Sequence, residues 1–138
     1  MALGDELTLP AETRFITLGE EADKFYLIRQ GRVALTKPIS LRGEERDVLL
    51  EEKDPGNTVG WSAFVPPYRF TLNARTVVNT VLIAIPRAAL RELILRDPKI
   101  GVTVNANVAK MIGMRLLTVQ TMWVRAMQRS LESLDKNA

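Results

Sequence analysis

The amino-acid sequence predicts a mainly β domain with helices at its C-terminal end, and three observations carry that reading. Up to about residue 85 the apolar residues come in short alternating runs, with turn signals roughly every eight to twelve residues, the pattern of a compact antiparallel sandwich or barrel. Past Ile85 the apolar spacing changes from two to between three and four, the repeat of a helix. From Pro98 to about Leu134 nothing stronger than Gly101 and Gly113 interrupts that repeat, so a long helix closes the chain.

Taken in order, Leu7 to Leu9 reads as the first strand. In "DKFYLIRQGRVALTKP" Phe25 and Leu27 alternate against polar neighbours, Gln30-Gly31 supplies a turn, and Val33 and Leu35 resume the alternation until Pro38 stops it, which predicts a β-hairpin. "RGEERDVLLEEKDPGNTVG" repeats that logic with a charged loop at Arg42 to Arg46, an apolar segment from Val48 to Leu50, and an Asp54-Pro55-Gly56 turn. "TLNARTVVNTVLIAIP" holds two more strands, and Val81 to Ile85 is apolar enough to be buried on both faces. Pro86 suits the first turn of a short helix running to Arg96, on which Ala89, Leu90, Leu93 and Ile94 share a face.

Asp97-Pro98 then breaks and restarts the helix, with Asp97 as cap and Pro98 at the first helical position. The second helix should span roughly thirty-odd residues, around 50 Å. On it Ile112, Leu116, Val119, Trp123 and Ala126 recur at the alternating spacings of a coiled-coil seam. A seam of this kind pairs with a second copy or packs on the chain's own β domain, and a helix that outruns so small a barrel favours the pair. The final "SLDKNA" reads as a tail.

Composition narrows the chemistry. At 138 residues and 46% hydrophobic the chain has the size and core of one soluble domain, and it has no apolar run long enough to span a membrane. Its 19 Lys and Arg against 16 Asp and Glu are scattered, which does not make a nucleic-acid surface. The chain has no Cys and no His, and so lacks thiolate nucleophiles, disulfides, the commonest general base and the commonest metal ligands. Metal-dependent jelly-roll enzymes need clustered inward His and carboxylates. Here Glu20, Glu21, Asp23, Glu44, Glu45, Glu51 and Glu52 fall in turns or at strand ends, where solvation explains them. No enzyme, metal or cofactor is expected, and the start "MALGDELTLP" lacks a signal-peptide pattern, which makes the cytoplasm the expected location.

Three stretches together resemble the cyclic-nucleotide-binding domain of bacterial catabolite activators and protein-kinase regulatory subunits. "LGEEADKFYLIRQGRVAL" is similar to the family's Gly-Glu, spacer, Tyr-x-Ile-x-x-Gly-x-Val segment, "DPGNTVGW" to the Pro-Gly-Asp-x-Phe-Gly-Glu entry of its phosphate cassette, and "VLIAIPRAALREL" to its exit strand and helix. The resemblance implies a β-roll, that is a jelly roll or double-stranded β-helix, of about eight strands, followed by a short helix and a long dimerisation helix. It would be one domain in all, with the roll over residues 1–85, a cassette helix at 60–65, and the helices over 86–138.

In the family the cassette's backbone N–H groups hold a cyclic phosphate with the help of an arginine, and a glutamate takes the ribose 2′-hydroxyl. A helix N-terminus and a guanidinium both suit phosphate. Gly60 matches the family glycine and "WSAFV" the short helix, so a backbone cradle is expected to survive. Trp61, however, stands where the glutamate should be, and an indole only donates a hydrogen bond. Losing a hydrogen bond to a charged group costs roughly 1.5–3 kcal/mol, about ten- to a hundredfold in affinity. Counting back from Arg75, the arginine slot falls on Phe70, with Arg69 one place early; a bulge or a longer loop after Pro66-Pro67 would be needed to turn Arg69 inward.

The candidate ligand-binding residues are therefore Gly60, Trp61, Ser62, Ala63, Tyr68, Arg69 and Thr71, joined by Thr118, Gln120 and Thr121 from the helix zone the family uses to touch the base. Trp61 or Tyr68 would stack on a flat ligand, Ser62 would donate a hydroxyl bond and Arg69 would meet an anion. The competing reading has Trp61 and Phe64 filling the pocket, Tyr68 packed over them, Arg69 solvated, and the helix polar groups simply exposed. Two functions follow. One is a non-enzymatic regulatory module that binds cAMP, cGMP or a related anionic ligand and signals through a homodimer helix to an effector protein. The other is a ligand-free dimerisation or protein-interaction module on the same fold. The family domain usually opens with one or two helices, for which Leu7 to Leu9 leaves no room. DNA-reading members continue past the long helix into a helix-turn-helix, and this chain stops at Ala138, so no DNA binding by this chain alone is expected.

Overall fold

A computed structural model describes residues 4–136. Eight strands precede two helices: β1 (Asp5–Leu9), β2 (Arg14–Ile16), β3 (Lys24–Gln30), β4 (Val33–Leu41), β5 (Glu44–Lys53), β6 (Thr58–Val59), β7 (Asn73–Thr76), β8 (Thr80–Pro86), α1 (Arg87–Arg96) and α2 (Pro98–Lys136). A single 3-10 turn, Trp61–Phe64, lies between β6 and β7. The strands form two antiparallel four-stranded sheets in the orders β1-β8-β3-β6 and β2-β7-β4-β5. The β-roll expected from the sequence is the architecture observed.

The chain divides into two compact units, one ending at Arg96 and the other beginning at Asp97. In the first, the apolar side chains that alternate along the strands meet between the sheets. Ile28 and Leu82 from one sheet and Val33, Leu35 and Ala74 from the other are buried together with Ile16, Val59, Ala63 and Phe70. α1 falls in the same compact unit as the strands it follows. Pro86 ends β8 and Arg87 opens α1. β8 is fully buried only at alternate positions, Thr80, Leu82 and Ala84, while Val81, Ile83 and Ile85 are half-buried.

Several local readings are corrected. β3 and β4 are not a hairpin, because they lie in different sheets. Gly31, at φ +99, turns the chain from one sheet to the other, and a Cβ there would sit 2.5 Å from Thr80 Oγ1. Alternation picks the inward Val33 and Leu35 on β4, but on β3 the side chain in the core is Ile28 and not Leu27; it does not pick a strand's neighbour, and a glycine turn serves a sheet crossing as well as a hairpin. The hairpin is instead β4–β5, closed at Arg42 and Gly43, both left-handed at φ 53 and 82, the geometry of a type I′ turn. The charged loop expected at Arg42 to Arg46 is thus a two-residue turn followed by strand. Pro38 does not stop β4: past Thr36 that strand has β5 as its neighbour and no longer pairs β7, so the missing N–H is tolerated at an edge.

In the second unit α2 is 39 residues long, about 58 Å. Asp97 caps it as expected, its Oδ1 accepting the Lys99 N–H at 3.2 Å and its carbonyl the Ile100 N–H at 3.1 Å. The helix runs on through Lys136, so most of the stretch read as a tail is helical, and its last two residues lie outside the described ones. No helix among the described residues is long and apolar enough to cross a membrane.

Candidate functional site

The site is built where β6 hands over to the 3-10 turn. Val59 is buried on β6, opposite Tyr26 of β3. Gly60 then takes a left-handed conformation, φ 91 and ψ 31, that an L side chain rarely adopts. A Cβ at Gly60 would lie 3.3 Å from Phe25 Cα and 3.4 Å from both Lys24 O and Phe70 Cε1, so the backbone runs against β3 with no space between. The reversal starts a turn in which the Ala63 N–H donates to Gly60 O at 3.1 Å and the Val65 N–H to Ser62 O at 3.3 Å. Ala63 N–H is thus spent inside the turn, while the Trp61 and Ser62 amides precede its first internal bond. Ser62 and Ala63 are buried and Trp61 is half-buried. The short helix expected at 60–65 is present as this shorter 3-10 turn.

Beyond the turn the chain passes a cis Pro66-Pro67 bond and reaches Tyr68, which is also left-handed at φ 60. It then pairs with the loop after β2. Ala22 N–H donates to Tyr68 O at 2.7 Å, Phe70 N–H to Glu20 O at 3.0 Å and Gly19 N–H to Phe70 O at 2.8 Å, with Arg69 bridged to Glu21. On an extended segment adjacent side chains point opposite ways. Phe70 therefore enters the core, and Arg69 is exposed with Nη1 donating to Gly19 O at 3.2 Å. The loop does not offset the one-residue slip seen in the sequence. Among the described residues the buried polar side chains are Thr36, Ser62, Asn73, Thr76 and Thr80, all uncharged. Thr71 is exposed.

The aromatic side chains are arranged differently from the expected lid. Phe64 packs on Phe25, ring centres 4.8 Å apart, whereas Tyr68 is covered by Arg87, whose guanidinium carbon lies 4.2 Å from the ring centre. Arg87 also donates from Nη1 to Ala22 O at 3.4 Å and Ala63 O at 3.5 Å. Sequence reading missed this residue. The available signal was a cation immediately after an apolar strand, where Pro86 alone had been used to mark a helix start. Beside β6, Tyr26 stacks edge-on to Phe15 at 5.1 Å, and burial, with Asp23 adding to it, raises its hydroxyl pKa above the ordinary 10.0.

On α2, Thr118 and Thr121 share a face and donate to carbonyls one turn back, Met114 O at 3.0 Å and Leu117 O at 2.9 Å. Gln120, two residues from Thr118, projects from another face, so the three do not converge. Ile112, Leu116, Val119, Trp123 and Ala126 fall on one strip, within roughly 80° of arc. Leu116, Val119 and Trp123 are exposed. Among the described residues no group of His, Cys, Asp and Glu is gathered in a way that could hold a metal ion.

With this geometry in place, the comparisons are unambiguous about family. The family model described as cyclic nucleotide-binding domain matches residues 6–97, about two thirds of the chain, and the chain belongs to that family. Its members are regulatory binding domains. Among solved structures, the catabolite activator protein of Thermus thermophilus is similar at TM-score 0.72 and 22% identity, over 87% of this chain and 55% of that one. The c-di-GMP-responsive global regulator CLP of Xanthomonas campestris is similar at TM-score 0.75 and 18% identity, over 89% and 59%. The regulatory domain of Toxoplasma gondii PKA, solved with cAMP, is similar at TM-score 0.56 and 22% identity, over 65% and 33%. At these identities the likeness shows the fold, and the chain spans from 33% to 59% of the length of these three. No curated protein matches by sequence.

Two outcomes test the site's geometry. Gly60→Ala should lower the unfolding free energy by clearly more than Gly43→Ala in urea denaturation. Both glycines are left-handed, at a cost for alanine of about 1–2 kcal/mol, but only Gly60 has neighbours within 4 Å of the new Cβ. Equal losses would mean that the close approach to β3 is not tight. The raised Tyr26 pKa has a fixed sign: above pH 10.0 the unfolded chain loses the proton before the folded one, so stability present below that pH is lost as pH rises. Tyr26→Phe should flatten this alkaline decline in chemical denaturation between about pH 9 and 11.

Proposed function

We propose that this chain is a non-enzymatic regulatory module that takes a cyclic nucleotide or a related ligand with a flat base into the β-roll and passes the response to a homodimer helix. The carrying observation is the left-handed Gly60 opening a turn whose Ser62 and Ala63 are buried within the roll. The family and its structural relatives, a c-di-GMP-responsive regulator and a PKA regulatory domain solved with cAMP among them, support the same class of ligand. Gly60 and Ser62 would cradle the ligand through the backbone and Trp61 through the indole face, with Ala63, whose N–H closes the turn on Gly60 O, holding the cradle's shape and Tyr68 nearby. Exposed Arg69 and Thr71 leave the anion to the backbone, and affinity for a phosphate should fall accordingly. The exposed strip of Leu116, Val119 and Trp123 on α2 supports pairing with a second copy through Ile112, Leu116, Val119, Trp123 and Ala126. We place the module in the cytoplasm, with an effector protein downstream.

A second reading has an observation of its own. Phe70 fills the core where the family arginine would face the ligand, which favours a self-filled roll that acts only as a pairing platform.

The two separate in a titration of the Trp123→Phe variant, which leaves Trp61 as its indole reporter, with cAMP, cGMP and c-di-GMP. The first reading expects a saturable change in Trp61 emission with at least one nucleotide, and emission unchanged up to about millimolar concentration discards it. Pairing is checked by sedimentation: wild type should run as a dimer and Leu116→Glu as a monomer, since a charge in the seam is left unpaired. A monomeric wild type at about 50 µM would end the dimer proposal.

A further inference from the structure

Arg87 draws together the loop before β3, the 3-10 turn and the Tyr68 segment, of which the first and last are already paired through the backbone. Its backbone N–H donates to Asp23 O at 2.8 Å, which fixes the start of α1 on the loop before β3. Its Nη1 reaches Ala22 O on the same loop and Ala63 O in the 3-10 turn, at 3.4 and 3.5 Å. Its guanidinium plane lies 4.2 Å over the Tyr68 ring. A planar fork can donate at its edge while its face rests on an aromatic ring, an arrangement a lysine ammonium cannot reproduce.

Tyr68 gives this contact its meaning. A bulky residue at φ 60 is an outlier that persists only where the surroundings hold it. Here its N–H is tied to Val65 O at 2.9 Å, its carbonyl accepts from Ala22 N–H at 2.7 Å, and its ring is clamped by Arg87. The Ala63 carbonyl and the Tyr68 ring both lie on the stretch from the 3-10 turn to Tyr68 that, on the ligand reading above, would meet the ligand. Both act on a side chain whose own backbone is the first residue of α1.

We propose that Arg87 is the positioning residue that couples the cassette turn to α1, so that a shift of Ala63 and Tyr68 is carried into the first turn of that helix. This regulation rests on the ligand reading above, but the coupling itself is present without ligand and can be measured so. Hydrogen exchange on the full chain without nucleotide should show Arg87→Met raising exchange on the order of tenfold in both residues 61–70 and 88–96, with 33–53 unchanged. Tyr68→Leu should do the same, and the double variant should add little to either single one. Arg87→Lys, which keeps the charge and is the milder change if Arg87→Met unfolds, should still loosen both segments. Exchange raised in α1 alone, or fully additive effects in the double variant, would overturn the coupling.

With saturating cAMP, wild type should change exchange in 88–96, and Arg87→Lys should lose that change while Trp61 emission, read in the Trp123→Phe background, still responds. A retained change in Arg87→Lys counts against Arg87 as the coupler. A Trp123→Phe protein whose Trp61 emission ignores every nucleotide overturns the ligand reading, and the nucleotide-free comparison then decides Arg87 alone.

Discussion

The close approach of Gly60 to β3 constrains everything around the site. With a virtual Cβ only 3.3 Å from Phe25 Cα, the backbone can pass there only because no side chain is attached. Its left-handed dihedrals then send the chain inward as a turn instead of continuing β6. Ser62 and Ala63 are buried as a result, and Phe64 meets Phe25. Moved off the left-handed region, the segment would extend, and Ser62 and Ala63 would no longer be carried into the interior.

The same geometry separates what the turn supplies from what strand parity supplies. Backbone donors come with the turn whatever residues occupy it, whereas a guanidinium at the right spot depends on strand parity. One residue of displacement puts Phe70 inside and Arg69 outside, with the guanidinium tied to Gly19 O at 3.2 Å. The interior thereby gains apolar volume and loses its cation. In an interior whose buried polar groups among the described residues are all uncharged, this is the low-cost arrangement, since an unpaired buried charge would be far more expensive.

Much of this was legible in the sequence. Alternation at Phe25, Leu27, Val33 and Leu35, the change of period at Ile85, and the Asp97-Pro98 restart are local signals, and local signals place elements well. Strand partnership is different: nothing in "QGR" distinguishes a hairpin from a step between sheets, because the choice is made by Thr80 and the distant strands that receive the chain. The role of Arg87 was equally hidden, since its partners Ala22, Ala63 and Tyr68 lie 19 to 65 residues away in the chain. The slip at Arg69 was readable by counting, but only the pairing of residues 68–70 with 19–22 shows that the loop leaves it in place.

Past Thr36, β4 and β5 leave the sheet as a two-stranded ribbon ending at Arg42-Gly43. Such a ribbon offers bare amide and carbonyl rows on its flanks, an invitation to stack with other chains. Here Lys37, Glu44, Glu45, Arg46 and Asp47 crowd it with charges of both signs and Pro38 removes a donor, so that a stray strand meets solvated ions instead of a ladder. The part of the molecule most open to rewriting is thereby also the part that keeps it from aggregating.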